Sequence, residues 1–205
     1  MGTKKIYPLV YIAIGAVTLS ACSAAPMEVP TIQQSSIIST RSHASSVAES
    51  PSAEFLLLRL IDLIKQSKSA QDFTPDRVAA VMQRPVAFFV PDRFGYGGKL
   101  TSEWSYAFEI RGINSPHPRL DLDFIDTSPN RSAAATDICK VDFDQFVAAL
   151  EQDGFARTTI FGEHGVVVYD RFDRPGLSIK VSSIGDASVP PGNARHDCVQ
   201  LVTVQ

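Results

Sequence analysis

Apolar residues recur along this chain on two different periods, and the switch between them marks out its elements. Phe55, Leu56, Leu57, Leu60, Ile61 and Ile64 are spaced by three and four, which lays one broad apolar stripe along a helix. Ser50 and Pro51 or Ser52 supply its start. A second helix is predicted where Thr74-Pro75-Asp76 opens a run through Val78, Val81 and Met82. The threonine can cap, the proline suits the first turn, and the aspartate favours the positive end of the helix dipole. Pro85 ends that helix.

Beyond Pro85 the period falls to two. Residues 86–90 form a short apolar run between prolines, and 92–98 read as a glycine-rich loop. Trp104, Tyr106, Phe108 and Ile110 then share one side while Ser105, Glu109 and Arg111 take the other. Leu120, Leu122 and Phe124 repeat the pattern against Asp121 and Asp123, so both stretches are half-buried strands.

A third helix is predicted over 142–153, with Phe143, Phe146, Val147 and Leu150 on one face, Asp142 and Gln145 as a capping box, and Gly154 as its stop. Residues 155–161 and 166–171 flank the turn Gly162-Glu163-His164-Gly165 as a hairpin. A last pair of strands occupies 176–183 and 198–204, the first alternating Leu177, Ile179 and Val181 with Ser178, Lys180 and Ser182. The order is therefore two helices, three strands, one helix and four strands. It predicts a single α+β domain, a mainly antiparallel sheet with about three helices on one face. The two halves can be read as diverged helix-plus-sheet repeats, although no residue pattern recurs between them.

Composition fits one soluble core: 205 residues, 44% hydrophobic and 20% charged. The N-terminus has the parts of an export signal, with Lys4 and Lys5, an apolar stretch from Ile6 to Leu19, then small residues. That stretch falls short of the roughly 20 apolar residues that cross a bilayer. Removing residues 1–21 takes away two lysines and no acid, leaving 17 basic against 22 acidic residues, a net charge of −5. Such a balance argues against sequence-independent nucleic-acid binding, which needs a basic footprint.

The end of the signal, Leu19-Ser20-Ala21-Cys22, resembles the bacterial lipobox. The resemblance implies that Cys22 takes a diacylglyceryl group and becomes the first residue of a lipid-anchored protein. Ser23 in the next position implies the periplasmic face of the outer membrane. With Cys22 lipidated, Cys139 and Cys198 remain in an oxidising compartment, and they are expected to form one disulfide. The competing expectation is a catalytic thiol at Cys198 beside His196. Residues 22–52 are rich in Ser, Ala and Pro and read as a flexible tether spanning roughly 30 Å. The folded domain is then 53–205.

Candidate chemistry is sparse. Gly95-Tyr96-Gly97-Gly98-Lys99 departs from the phosphate-loop pattern, because Arg93 stands at the first glycine position and Leu100 follows the lysine. His43, His117, His164 and His196 have no metal-ligand spacing, and there is no nucleophile elbow or C-x-x-C pair. Asp121, Asp123 and Asp126 lack the glycine and closing glutamate of a calcium loop, so a solvated strand face is favoured. No metal, cofactor or enzymatic activity is expected. The polar side carrying Glu109, Arg111, Asp121, Asp123 and Lys180 is instead a candidate partner surface, whose mixed charge would set orientation and on-rate. Interface cores favour aromatics and arginine, so Arg93, Phe94 and Tyr96 in the glycine loop are further partner-binding candidates.

The stretch Ser69 to Val78, the segment Gly95-Tyr96-Gly97, and Thr136 to Cys139 with Asp142 to Phe146 resemble small proteobacterial lipoproteins of the immunity type. The resemblance implies a compact α+β domain that binds and blocks an antibacterial effector, of the cell-wall hydrolase or lipase class, delivered by neighbouring cells. Its motifs are helix caps, a turn and a disulfide half, and they transfer no inhibitory residue. The competing expectations are an envelope assembly or scaffold lipoprotein bound to an outer-membrane complex, and a cryptic hydrolase.

Overall fold

In a computed structural model, residues 50–185 and 197–205 are described. The export signal, Cys22 and the tether as far as residue 49 lie outside them, as do His43 and His196. The first helix, α1, spans Ala53–Lys65, and Ser52 caps it by accepting a hydrogen bond from the Phe55 N–H at 3.1 Å. Its stripe is wide: Leu56, Leu57, Leu60, Leu63 and Ile64 are all fully buried. A turn of 3-10 helix at Ala70–Asp72 leads to α2, Pro75–Met82, which starts on the proline and ends when Gln83 turns left-handed at φ 54°. Helix α3, Phe143–Gln152, carries the expected capping box: the Gln145 N–H donates to Asp142 at 2.8 Å, and the Asp142 N–H donates to Gln145 at 3.2 Å.

Eight strands form one antiparallel sheet among the described residues. They are β1 (Ala87–Val90), β2 (Arg93–Lys99), β3 (Trp104–Arg111), β4 (Arg119–Asp126), β5 (Ala156–Phe161), β6 (Val167–Arg174), β7 (Leu177–Gly185) and β8 (Asp197–Val204). Their order across the sheet is β1-β2-β3-β4-β8-β7-β6-β5. Each half of the chain is thus helix followed by a four-stranded meander, and the two meanders meet at their last strands, with Leu122 opposite Val202. Such a layout is what a pair of helix-plus-sheet repeats would build.

One expectation is corrected. Of the stretch 92–98, Asp92 lies in a turn but 93–98 are not a loop and form the body of β2, so four strands, not three, precede α3. The alternation had been hidden because two outward positions are glycines. Phe94 and Tyr96 point to the core side, while Arg93, Gly95, Gly97 and Lys99 take the other. A Cβ at Gly95 would stand 2.0 Å from the Phe108 carbonyl oxygen, and one at Gly97 2.8 Å from that of Tyr106. Strands β2 and β3 therefore approach too closely for side chains there.

A single core cluster holds the inward residues of the strands, from Phe94, Trp104 and Phe108 through Leu122 and Val202 to Ile179 and Phe172, together with the apolar faces of the helices. Helix α1 packs against α2 and α3, and α3 against β8. The helices so cover one face of the sheet and leave the other open. Cys139 and Cys198 form the expected disulfide, which ties the approach to α3 to the start of β8.

Candidate functional site

The open face is built by strand alternation. Register sets Arg93, Arg111 and Arg119 side by side across β2, β3 and β4, and in the next row sets Glu109, Asp121, Thr203 and Lys180 across β3, β4, β8 and β7. The polar positions singled out in the sequence therefore lie on one contiguous strand face. Like charges directly opposite each other destabilise a sheet, so the arginine row depends on the acids beside it. Asp121 is 7% exposed and receives hydrogen bonds from Arg111 at 2.9 Å, from Arg119 Nε at 2.9 Å and from the Thr203 hydroxyl at 2.7 Å. Glu109 lies 3.3 Å from Arg111 and 3.7 Å from Arg93. The guanidiniums remain about half exposed, held by their acids and presented outward.

The third row is different. Across β2, β3, β4 and β8 it reads Gly97, Ala107, Asp123, Leu201. The Asp123 carboxylate makes no hydrogen bond or ion pair among the described residues, although its neighbours Asp121 and Glu109 each have arginine partners. Partial burial, and then the charge of Asp121, push its carboxyl above the ordinary aspartate value. A hollow of about 180 Å³ opens here, with Ala107 and Leu201 as apolar walls and Asp121 and Asp123 among its lining. A larger hollow of about 420 Å³ runs along α1 past Phe55, Leu58 and Asp62 to Ala149. Size does not decide between them, because the polar groups of the larger one are the partly exposed Arg59–Asp62 pair and Lys65, all on one helix.

The other candidates separate. Arg93 faces outward with Glu109 and lies 5.7 Å from the Phe89 ring. Phe94 is fully buried beneath the helices and presents nothing outward. Tyr96 is half-buried and stacks on Phe108 at 5.0 Å. Its hydroxyl is buried without a hydrogen-bond partner among the described residues, and burial followed by the neighbouring Tyr106 raises the phenol above its ordinary value. Arg93, Phe94 and Tyr96 so form no common patch.

Asp126 leaves the aspartate group for the same reason of alternation, since it pairs with Trp104 on the helix side of β4. Its oxygens accept from the Ser128 hydroxyl at 2.6 Å and the Ala133 N–H at 3.0 Å, and the Ser128 hydroxyl is the chief cause of its lowered carboxyl pKa. Among the described residues no three His, Cys, Asp or Glu side chains converge to hold a metal ion. Cys198 is bonded to Cys139, so it offers no free thiol to His196.

Two features escaped the sequence reading. Arg119 and Thr203 complete the grip on Asp121, and Arg119 was detectable two residues before Asp121 on the same face of one strand. On the helix side, Asp170 is 3% exposed and accepts from Arg157 Nε at 2.9 Å and the Thr159 hydroxyl at 2.5 Å. An aspartate at an inward position of β6 was its signal. No family model, no curated protein and no solved structure matches this chain.

Proposed function

We propose that this chain is a lipid-anchored immunity or inhibitor protein of the periplasmic face of the outer membrane, which binds a secreted antibacterial effector and blocks it by docking the open face of its sheet against it. The effector class is a cell-wall hydrolase or lipase. One observation carries the docking part of the reading: an eight-stranded sheet keeps its helices on one face and displays ordered, arginine-braced charge on the other. Arginines held in place by acids lose little freedom on binding, which suits them as contact residues. The envelope address rests on the lipobox-like Leu19-Ser20-Ala21-Cys22 and on the two remaining cysteines being bonded to each other, as an oxidising compartment favours.

The test is direct. The purified chain is mixed with the effector encoded beside its own gene, and binding and effector activity are measured together. Tight binding with loss of activity is expected, weakened at least about tenfold by Arg119→Glu, since removing one partner of an interfacial charge pair acts mainly on dissociation. Absence of both binding and neutralisation would sink the reading. Membrane permeability defects in a deletion strain grown without attackers would favour the scaffold alternative.

A further inference from the structure

The open face is unevenly balanced in charge, and the imbalance has a place. At one end three arginines, Arg93, Arg111 and Arg119, share two acids, Glu109 and Asp121, in a chain of pairs between 2.8 and 3.7 Å. That end carries one surplus positive charge. One row further along β4, Asp123 has no cation among the described residues. Its row supplies no other charge, because Gly97, Ala107, Leu201 and Ser182 are the residues in register with it.

The surroundings of Asp123 suit a particular shape of group. Gly97 has no side chain and Ala107 only a methyl, so β2 and β3 place nothing larger at their own positions in the row. Leu201 closes the other side. The resulting hollow, about 180 Å³, has Ala107 and Leu201 as apolar walls and the Asp123, Asp121 and Glu109 carboxylates in its lining, with Arg111 and Arg119 also lining it but already paired with Glu109 and Asp121. A small hydrated cation would gain nothing from apolar walls. A lysine or arginine side chain would, since its methylene stem buries on apolar surface while its head remains polar.

We propose that this hollow is the receptor for one basic side chain of the protein partner, a lysine or arginine whose stem lies between Ala107 and Leu201 and whose head pairs with Asp123. The inference rests on the open face being the docking face. In the free chain Asp123 carries the cost of partial burial and of the nearby Asp121 charge with no ion pair of its own among the described residues, and a partner's cation offsets both. The interaction is thus stronger bound than free, which is the condition for it to add affinity. The arginine end adds orientation: a partner laid the wrong way would set its basic group against surplus positive charge.

The probe is a blocked Gly-Lys-Gly peptide titrated into the purified chain, followed by NMR at the Asp123 carboxyl carbon and the Ala107 and Leu201 methyls. A blocked Gly-Glu-Gly peptide is the control. Saturable shifts at those three residues with the lysine peptide are expected, with none from the glutamate peptide. Binding should fall at least about tenfold, or 1.4 kcal/mol, in Asp123→Asn, which keeps the shape and removes the charge. Equal shifts in Asp123→Asn, equal effects of the two peptides, or shifts gathered at the arginine row would overturn the proposal. Calcium alone producing the same shifts more tightly would overturn it in favour of a metal ion. If the lysine peptide binds but the neighbouring effector does not, the effector reading fails and the receptor stands. If the effector binds wild type and Asp123→Asn alike, the receptor fails and the effector reading stands.

Discussion

The two halves of the sheet follow the same order, yet they cover their helix-side surfaces by different means. In the first half the inward residues of β2 and β3 are Phe94, Tyr96, Trp104, Tyr106, Phe108 and Ile110, an aromatic layer beneath α1 and α2. In the second, β6 turns Asp170, Phe172 and Arg174 inward. One helix serves that half, and its two charged residues are each tied down. Asp170 is held by Arg157 and Thr159, and Arg157 also lies 5.3 Å from the Phe143 ring of α3. Arg174 pairs with Asp153, sits 4.5 Å over the Phe155 ring, and donates to the Ile64 and Ser67 carbonyls at 2.9 and 2.6 Å. Aromatic rings fill volume through many weak contacts, whereas a guanidinium with several acceptors specifies one arrangement. The second half substitutes position-fixing bonds for apolar cover, and it alone holds the disulfide.

The largest expected effect follows from that difference. Replacing Cys139 and Cys198 together by serine opens a loop with a sequence separation of 59 residues. The loop-entropy relation puts the loss at about 4 kcal/mol, measurable by denaturant unfolding of the variant beside wild type. Hydrogen exchange sharpens the comparison. Amides of β5 to β7 should lose protection before those of β2 and β3, whereas an equal loss across the sheet would show that the halves unfold as one unit.

Arg174→Ala should come next, at about 3 kcal/mol, because it strands the Asp153 carboxylate and two carbonyls at the end of α1 in a half-buried setting. Arg174→Lys should recover less than half of that loss, since an ammonium cannot present a planar fork to the same acceptors. Equal stability of the two variants in denaturant unfolding would reduce Arg174 to a simple charge at a helix end.

What the sequence showed and what it hid divide along similar lines. Helices α1 and α3 were legible because Ser52 and Asp142 cap them and their apolar positions recur at helical spacing. Strands β3 and β4 were legible because each alternates cleanly. Strand β2 was not, since local propensity counts glycine as a breaker, and only the approach of β3 reveals why Gly95 is needed. On the open face, Glu109, Arg111, Asp121, Asp123 and Lys180 could be assigned to polar strand faces, but their adjacency depends on β8 inserting beside β4. That pairing joins residues about 80 positions apart, such as Asp121 and Thr203, and no short-range signal encodes it. Arg93, Phe94 and Tyr96 were grouped as one loop, and strand geometry sends them to opposite faces.

The smallest effect tests the open face of the first half. Partial burial and then the Asp121 charge raise the Asp123 carboxyl above 3.8, while Arg93 and Lys99 on β2, Glu109 and Arg111 on β3, Arg119 on β4, Lys180 on β7 and Arg171 and Asp173 on β6 are further charged groups on that face. A raised carboxyl means the folded chain holds its proton to higher pH than the unfolded chain does. Stability is therefore lost as pH climbs from 3.8 through the raised value, and the full penalty persists above it. Asp123→Asn should consequently be more stable than wild type at neutral pH. The gain should stay below about 1 kcal/mol because solvent reaches and screens the group, and it should shrink as acid protonates the wild-type side chain. Asp121→Asn should instead lower stability at neutral pH, because Asp121 accepts hydrogen bonds from Arg111, Arg119 and Thr203 that the amide cannot match. If Asp123→Asn were less stable than wild type at neutral pH, Asp123 would already have a favourable partner within the free chain, and the surplus charge attributed to this face would not exist.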